Sequence, residues 1–529
     1  MSGLFGRHSL RRFGVVIVLA LGVLSENSRA ESNSAETFVY RLTGEPETLD
    51  WNKASGNVET NLITNLMEGL VGFDSKMRII PKLARSWEIS PDGKVYTFHL
   101  RPGVQWSDGV PLRAQDFVFS WQRLLSPLTG APYAYLLQDI QGAEAFRQGK
   151  NPDFASVGVR ALNDSTLQVQ LERPVAHWLN IPTFWVTFPM RQDVVEKAGN
   201  SWARPGQIVT LGPYSWISHD IQSKLVFRAN PRYWGQRGNV QEVVARIIRD
   251  DAEALRLYEA GKLDFLAGLT SVPSERLRKR RDFRSFPALK TGYLGFTVKQ
   301  YPVSDVHFRR GLAQAIDRSG IRKILAAGHL PAHSFIPPGV SGFDPRVGLP
   351  FDLVAARKEI RLAGLDPAAP LQLELLVLGW EQQLLVGQFV QNEWKRNLGL
   401  DVSLKVLDRK DFRAQMEMGN QSLFMGMWAA DYPDPENFFS VFLKDSGNNR
   451  ARWNQARYDQ LVHSARSSKN PAFRKRAYRE AHELLLRDEV VLVPLYHEAT
   501  LGLVKSRVRG LRVSPLSVLE IREIQLVGP

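Results

Sequence analysis

The chain contains no cysteine in its 529 residues. That excludes a disulfide scaffold, a thiolate nucleophile and every cysteine-based metal site. It also excludes the lipid anchor that an exported protein takes on a processed cysteine, so a secreted form is expected to be soluble. Beyond the N-terminus, no stretch approaches the ~18 consecutive apolar residues that a membrane-spanning helix needs. No Gly-x-Ser-x-Gly elbow is there to present a serine nucleophile. The 30 prolines and 40 glycines are scattered, so no flexible linker separates modules, and no repeat of fixed period runs through the chain. Charge is lopsided, at +14, yet the basic residues are dispersed among acids. The one dense run, Arg276-Leu277-Arg278-Lys279-Arg280-Arg281, comes without a helix-turn-helix, an aromatic RNP-like strand or zinc spacing. It reads as a solvated helix end, and no nucleic-acid partner is expected.

What is present begins with a targeting segment. Arg7, Arg11 and Arg12 precede a mostly apolar stretch from Phe13 to Leu24, and Ser28-Arg29-Ala30 offers small residues where a signal peptidase reads. Cleavage after Ala30 is expected; it removes four arginines and one glutamate and leaves a charge of +11. The Arg11-Arg12 pair leaves twin-arginine export open beside the general route.

The remaining length calls for two or three domains. Alternation over Val95 to Leu100 predicts a half-buried strand, and Ser90-Pro91-Asp92-Gly93 before it predicts the turn of a hairpin. Asp116 is expected to cap a helix running to Leu125. Phe308, Leu312 and Ile316 mark helical spacing within 305–325, and Phe473 to Arg487 predicts another helix before a strand over Val490–Tyr496. Strands over Leu371–Leu378 and Asp401–Leu407 flank a helix from Gln382 to Leu398, a β-α-β unit of a layered α/β protein.

One stretch is more pointed. Met427 to Phe438 is acidic and broken by Pro433 and Pro435, and it follows a short apolar strand starting at Ser422. A strand opening into a loop with Trp428, Asp431 and Tyr432 presents a carboxylate between aromatic walls. A ligand ammonium is the natural partner for such a charge. The competing reading is an ordinary turn whose acids cap a helix beginning near Asn437.

The segment Trp428-Ala429-Ala430-Asp431-Tyr432-Pro433-Asp434-Pro435-Glu436-Asn437-Phe438 resembles the signature loop of the family 5 extracellular solute-binding proteins of bacterial ABC importers, the oligopeptide binders above all. Other landmarks follow in the family's order: Gly44 to Asp50, Glu68-Gly69-Leu70, Pro81 to Gly109, Asp116 to Trp121, Gly212-Pro213-Tyr214, Asn230 to Gly235, Tyr258 to Asp264 and Phe308 to Arg318. The resemblance implies a hinged two-lobed periplasmic-binding-protein fold of the second type, α/β throughout, with an additional inserted α/β domain. Mapped onto the chain, 1–30 is the signal peptide. Lobe I takes 31–57, 190–287 and 499–529, the inserted domain 58–189, and lobe II 288–498. Crossing strands are expected near Gly292–Val298 and Val493–His497.

The resemblance also implies site residues. Asp431 takes the place of the family's amine-binding aspartate, and Trp428 that of the tryptophan three residues before it. Glu45 and Tyr133 fall near the same end of the ligand, with Tyr432 beside Asp431 and Tyr496 on the second crossing strand. At the ligand's carboxylate end the match departs from the family: basic positions correspond to Met416 and Met425, a histidine to Gln383, and a lysine to Gln300 beside Lys299. Arg409 is the remaining cation in a segment able to face the cleft. Retained amine anchor and altered acid anchors point to modified, cyclic, amidated or cell-wall-derived peptides, or to amine-bearing conjugates.

The expected protein is therefore a periplasmic, monomeric peptide-type binding protein that delivers ligand to an inner-membrane ABC permease and its ATPase subunits. It would meet the membrane only through that permease and need no cofactor or metal. The alternatives are a receptor for a nickel or haem complex or another non-peptide solute, and a peptidase-like or glycosidase-like enzyme. For a zinc enzyme, His329 and His333 have the right spacing, but Pro331 breaks the helix that would align them. For a glycosidase, Asp431, Asp434 and Glu436 lie around two prolines that fix no carboxylate separation.

Overall fold

Two long strands, Phe283–Phe296 and Leu492–Val504, pair antiparallel and run through the middle of an 11-stranded mixed sheet. The computed structural model describes residues 36–269, 274–325, 328–364 and 371–528; the expected signal segment lies outside them. On one side of the central pair come Leu423–Ala429, Leu373–Leu378 and Val402–Leu407. On the other come Phe265–Ala267, Thr37–Leu42, Glu242–Ile247, Lys224–Ala229 and Tyr214–Asp220. The predicted β-α-β unit is there: Leu373–Leu378 and Val402–Leu407 pair parallel, joined by the helix Glu381–Leu398. The connection is a helical crossover because parallel neighbours cannot be joined by a tight turn.

A separate four-stranded antiparallel sheet holds Ala84–Ile89, Val95–Leu100, Thr166–Gln170 and Val159–Asn163, in that order. Tyr96, Phe98 and Leu100 point inward from their strand as its alternation requires, and Gly93 makes the preceding turn at φ +76°. The helix Ala114–Leu125 packs against this sheet. Asp116 lies inside it rather than capping it: its carboxylate reaches back to the Arg113 N–H at 3.0 Å and accepts from the Trp106 indole at 3.1 Å. Phe308, Leu312 and Ile316 are all fully buried; the first two lie on the helix Val306–Gln314, which Asp305 caps through the Phe308 N–H, and Ile316 follows its end.

The central pair is irregular at two places, one before Gly292 and one between Gly292 and Tyr293. Register slips between Pro287 and Thr291, opposite Ala499 and His497. Proline lacks a ladder donor. Beyond it, the Leu289 N–H goes to the Pro515 carbonyl and the Leu289 carbonyl accepts from Ala430, so this stretch bonds to loops on both sides.

Burial follows the same division. One hydrophobic cluster spans residues 38–265 and 504–526, and two others gather residues from 289 to 496. Tyr432 is the one buried residue from the 289–492 range that belongs to the first cluster. The last residues complete the first part of the chain. Arg507 pairs with Asp264 at 2.6 Å, and Asn61 and Asn65 hold the backbone of Leu519 and Ile521.

Candidate functional site

Strand Leu423–Ala429 ends where the acidic loop begins, and the loop is fixed by its own side chains. The buried Asn437 amide oxygen accepts from the Trp428 indole and from the Asp431 N–H, each at 3.1 Å. Asp434 accepts the Glu436 N–H at 2.9 Å, closing the turn that the two prolines start. The helix is a single short turn, Glu436–Phe439.

The three acids of this loop have different surroundings. One amino group of Arg474 reaches both oxygens of Asp434, at 2.8 and 2.9 Å. Glu436 accepts from the Tyr432 hydroxyl at 2.5 Å, with Arg466 and His177 each 3.6 Å away. Asp431 has no cationic partner among the described residues; its nearest donor is the Asn437 amide at 3.5 Å. Burial, abetted by the Glu436 charge and opposed by that amide, pushes its carboxyl up to about 6.

Facing this carboxylate are aromatic residues of the 58–189 region. Burial pushes the Tyr133 phenol up to about 12, with the Asp431 charge adding to the effect, and Tyr135 shifts the same way for the same two reasons. The Tyr133 ring lies 6.0 Å from Tyr135, 5.2 Å from Phe184 and 5.5 Å from Trp185, centroid to centroid. The Trp185 indole N–H is buried with no hydrogen-bond acceptor. An ionisable carboxylate without a cation, close enough to two phenols to act on their ionisation, is chemically able to take an organic ammonium as its counter-ion.

The other expected positions are employed elsewhere. Tyr432 is buried, stacked on His177 at 5.2 Å and bonded to Glu436, so it joins segments of the fold and forms no wall beside Asp431. Gln383 is inside the molecule, its side-chain oxygen accepting the Leu378 N–H at 3.3 Å. Tyr496 is 1% exposed and fills the space left by Gly292, where an added Cβ would come within 2.4 Å of its ring. Glu45 pairs with His219 and accepts the Gln222 N–H at 2.9 Å, binding a strand turn. Arg409 is exposed on the first turn of the helix Arg409–Met418, after Asp408 caps it. Met425 is a core residue opposite Leu294, and the buried Met416 sulfur accepts from Gln421. Gln300 donates to the Gly419 carbonyl, and Lys299 is exposed.

Sequence reasoning missed Tyr135, Phe184, Trp185 and Asn437. The Tyr133-x-Tyr135 and Phe184-Trp185 pairs were visible as aromatics, but nothing local ties them to a loop some 250 to 300 residues downstream. His329 Nδ1 accepts the Ala499 N–H and His333 meets the Arg318 guanidinium, so the two do not converge. Among the described residues, no cluster of metal-ligating side chains occurs and no helix is long and apolar enough to cross a membrane.

Known proteins share this architecture. The profile of the bacterial extracellular solute-binding proteins, family 5, matches residues 78–450. Escherichia coli K12 YgiS, named "Probable deoxycholate-binding periplasmic protein", is 33% identical over 90% of both chains. The E. coli periplasmic murein peptide-binding protein MppA is 32% identical over 93% of both. The Salmonella typhimurium periplasmic oligopeptide-binding protein OppA is 31% identical over 93% of both. Among solved structures, the E. coli murein tripeptide binding protein MppA superposes with a TM-score of 0.78 at 30% identity, covering 93% of this chain and 99% of that one. Haemophilus influenzae OppA in complex with RPPGFSPFR gives 0.75 at 29%, with the same coverage.

Proposed function

The chain belongs to the bacterial extracellular solute-binding proteins of family 5, and we propose that it captures an amine-bearing peptide or peptide-like solute between Asp431 and the aromatic group of Tyr133, Tyr135 and Trp185. Its peptide-binding relatives are periplasmic binding proteins, not enzymes. The carrying observation is the unequal pairing of one loop's acids: Asp434 and Glu436 have arginines and Asp431 has none. A ligand ammonium supplies the missing charge, and the indoles and phenols beside it exclude water and offer π faces. The carboxylate end has no counterpart among the positions where the oligopeptide binders place cations, since Met425 and Gln383 lie in the interior. A free C-terminal carboxylate is therefore not what the site selects. A modified or cell-wall-derived peptide fits better, and an anionic steroid would bring like charge to Asp431.

The rest of the reading is functional context. The lobes are those mapped from the sequence, closing about the central strand pair, which alone among the long strands serves both sides of the sheet. Signal-directed export without a lipid anchor, a monomeric state, and delivery to an inner-membrane ABC permease with its ATPase subunits complete it. Mass spectrometry of small molecules released by mild denaturation of protein taken from its native periplasm tests the proposal. Peptides or conjugates with a free amine are expected. Only amine-free molecules, such as bile-salt-like carboxylates, would overturn it.

A further inference from the structure

The basic run from Arg276 to Arg281 takes no part in the candidate site, and the fold gives it a definite setting. It begins on the short helix Ser274–Arg278 and leads into the strand Phe283–Phe296. Leu277 anchors it: 2% exposed, it packs with Tyr258, Leu263 and Leu503 in a small apolar cluster of its own. With Leu277 turned inward, Arg276, Arg278, Lys279 and Arg281 are exposed around it. Lys505, just past the end of Leu492–Val504, joins them, because Arg280, Arg281, Asp282, Lys505 and Ser506 line one recess of about 430 Å³. The Lys505 ammonium rests on the Tyr258 ring, 4.2 Å from its centroid.

The acids set against this recess are both held by Arg280, which lies 2.8 Å from Glu259 and 3.0 Å from Asp282; Asp282 also accepts from the Tyr258 hydroxyl. Arg276, Lys279, Arg281 and Lys505 make no ion pair among the described residues, and Arg284 donates only to the carbonyls of Arg281 and Phe283. Like charges gathered on one face repel, and an anionic surface outside the protein offsets that repulsion. Two facts say what kind of surface. Between 276 and 300 and between 499 and 526 no large apolar side chain is exposed, so the face lacks the aromatic or aliphatic anchor around which protein interfaces are built. The exposed side chains of Arg276, Lys279 and Arg281 are fixed by no hydrogen bond among the described residues, so no rigid cradle for one small anion is built. A plane of many loosely held anions suits both. We propose that this face docks on an anionic phospholipid surface, with Arg276, Lys279, Arg281, Arg284 and Lys505 meeting the headgroups. The protein then meets the membrane directly, and not through a permease alone. None of these residues belongs to the Asp431 loop or its aromatic group, so the ligand reading and this one stand apart.

Sedimentation of the full-length mature protein with lipid vesicles tests this. At about 0.02 M salt the protein should partition onto mixed phosphatidylglycerol–phosphatidylcholine vesicles and not onto phosphatidylcholine alone. At about 0.5 M salt, where screening acts within about 4 Å, it should come off. Joint substitution Arg276→Gln, Lys279→Gln and Arg281→Gln should lower the partition coefficient by about 20- to 100-fold, at about fivefold for each cation near the surface. Lys505→Gln alone should lower it about fivefold, and decides the matter should the triple variant not fold. Lys150→Gln, Arg160→Gln and Lys410→Gln together remove the same charge from exposed positions elsewhere and should change partition by less than about threefold. Equal losses in the two triple variants would mean that the vesicle feels net charge and not this face, and would overturn the proposal. Equal partition onto neutral vesicles, or partition that the substitutions in the basic run and at Lys505 leave unchanged, would overturn it as well. Inorganic phosphate should displace the protein no more than chloride at equal ionic strength; specific displacement would assign the recess to a small anion instead and sink the membrane reading.

Discussion

Where the strand Leu373–Leu378 turns into the helix Glu381–Leu398, the Gln383 side-chain oxygen receives the Leu378 N–H and is held by its own corner of the fold. In the loop after Leu423–Ala429, Asn437 holds Trp428 and the Asp431 backbone, two arginines take Asp434 and Glu436, and the Asp431 carboxylate is left without a cation. The resemblance to the oligopeptide binders implied a ligand contact in both regions. The contrast teaches that a polar residue in an aligned position is informative only when the fold has not already satisfied it. A buried group without its partner is costly, and a protein keeps one where something else supplies the partner.

The sharpest way to break this contrast is Asp431→Asn. It should weaken an amine-bearing ligand by about 10- to 150-fold, roughly 1.5–3 kcal/mol for a lost charge partner, measured by calorimetric titration. Equal affinity in wild type and variant would place the two regions on the same footing.

The second effect is a pH dependence. Folding raises the Asp431 carboxyl from 3.8 to about 6, so the unliganded protein holds the extra proton and loses stability as pH rises through that window. An ammonium ligand requires the ionised form. Affinity should therefore be flat above about pH 7 and fall about tenfold per unit below pH 6, with proton release on binding near pH 5.5. Titrations in two buffers of different ionisation enthalpy measure that release, and its absence removes Asp431 from the binding step.

The smallest effects belong to the other region. Gln383→Leu should cost about 1 kcal/mol in denaturant unfolding, because the Leu378 N–H loses its acceptor, with ligand affinity unmoved. Arg409→Ala should change stability by less than about 0.5 kcal/mol and affinity not at all. A drop in affinity for either would mean that the ligand reaches further along the sheet than Asp431 implies.

These expectations also mark what could be read from the chain alone. The β-α-β unit over 373–407 and the hairpin at Gly93 were legible because short-range periodicity and turn chemistry decide them. The acidic loop around Asp431 was legible because it is contiguous. The burial of Tyr496 and Met425 was not legible because a strand position says nothing of which face is covered, and here Gly292 and Leu294 lie across the ladder from them. Tyr135 and Trp185 were missed because their relation to Asp431 exists only after distant segments meet. Asp116 was assigned as a cap when it belongs in the first turn: a cap would accept amides two or three residues ahead, and here the carboxylate reaches back to the Arg113 N–H.

The hold of the last residues on the first has a consequence for the order in which the molecule can be made. Thr37–Leu42 pairs with Phe265–Ala267, which pairs with Leu492–Val504, and Asn61 and Asn65 wait for Leu519 and Ile521. Until the C-terminus emerges, Phe265–Ala267 lacks a neighbour on one side and Asp264 lacks Arg507. The early part of the chain cannot finish folding while it is being synthesised. The relatives are named as periplasmic proteins, and in a chain of this kind a first region completed by segments from 492 onward stays open until late in synthesis.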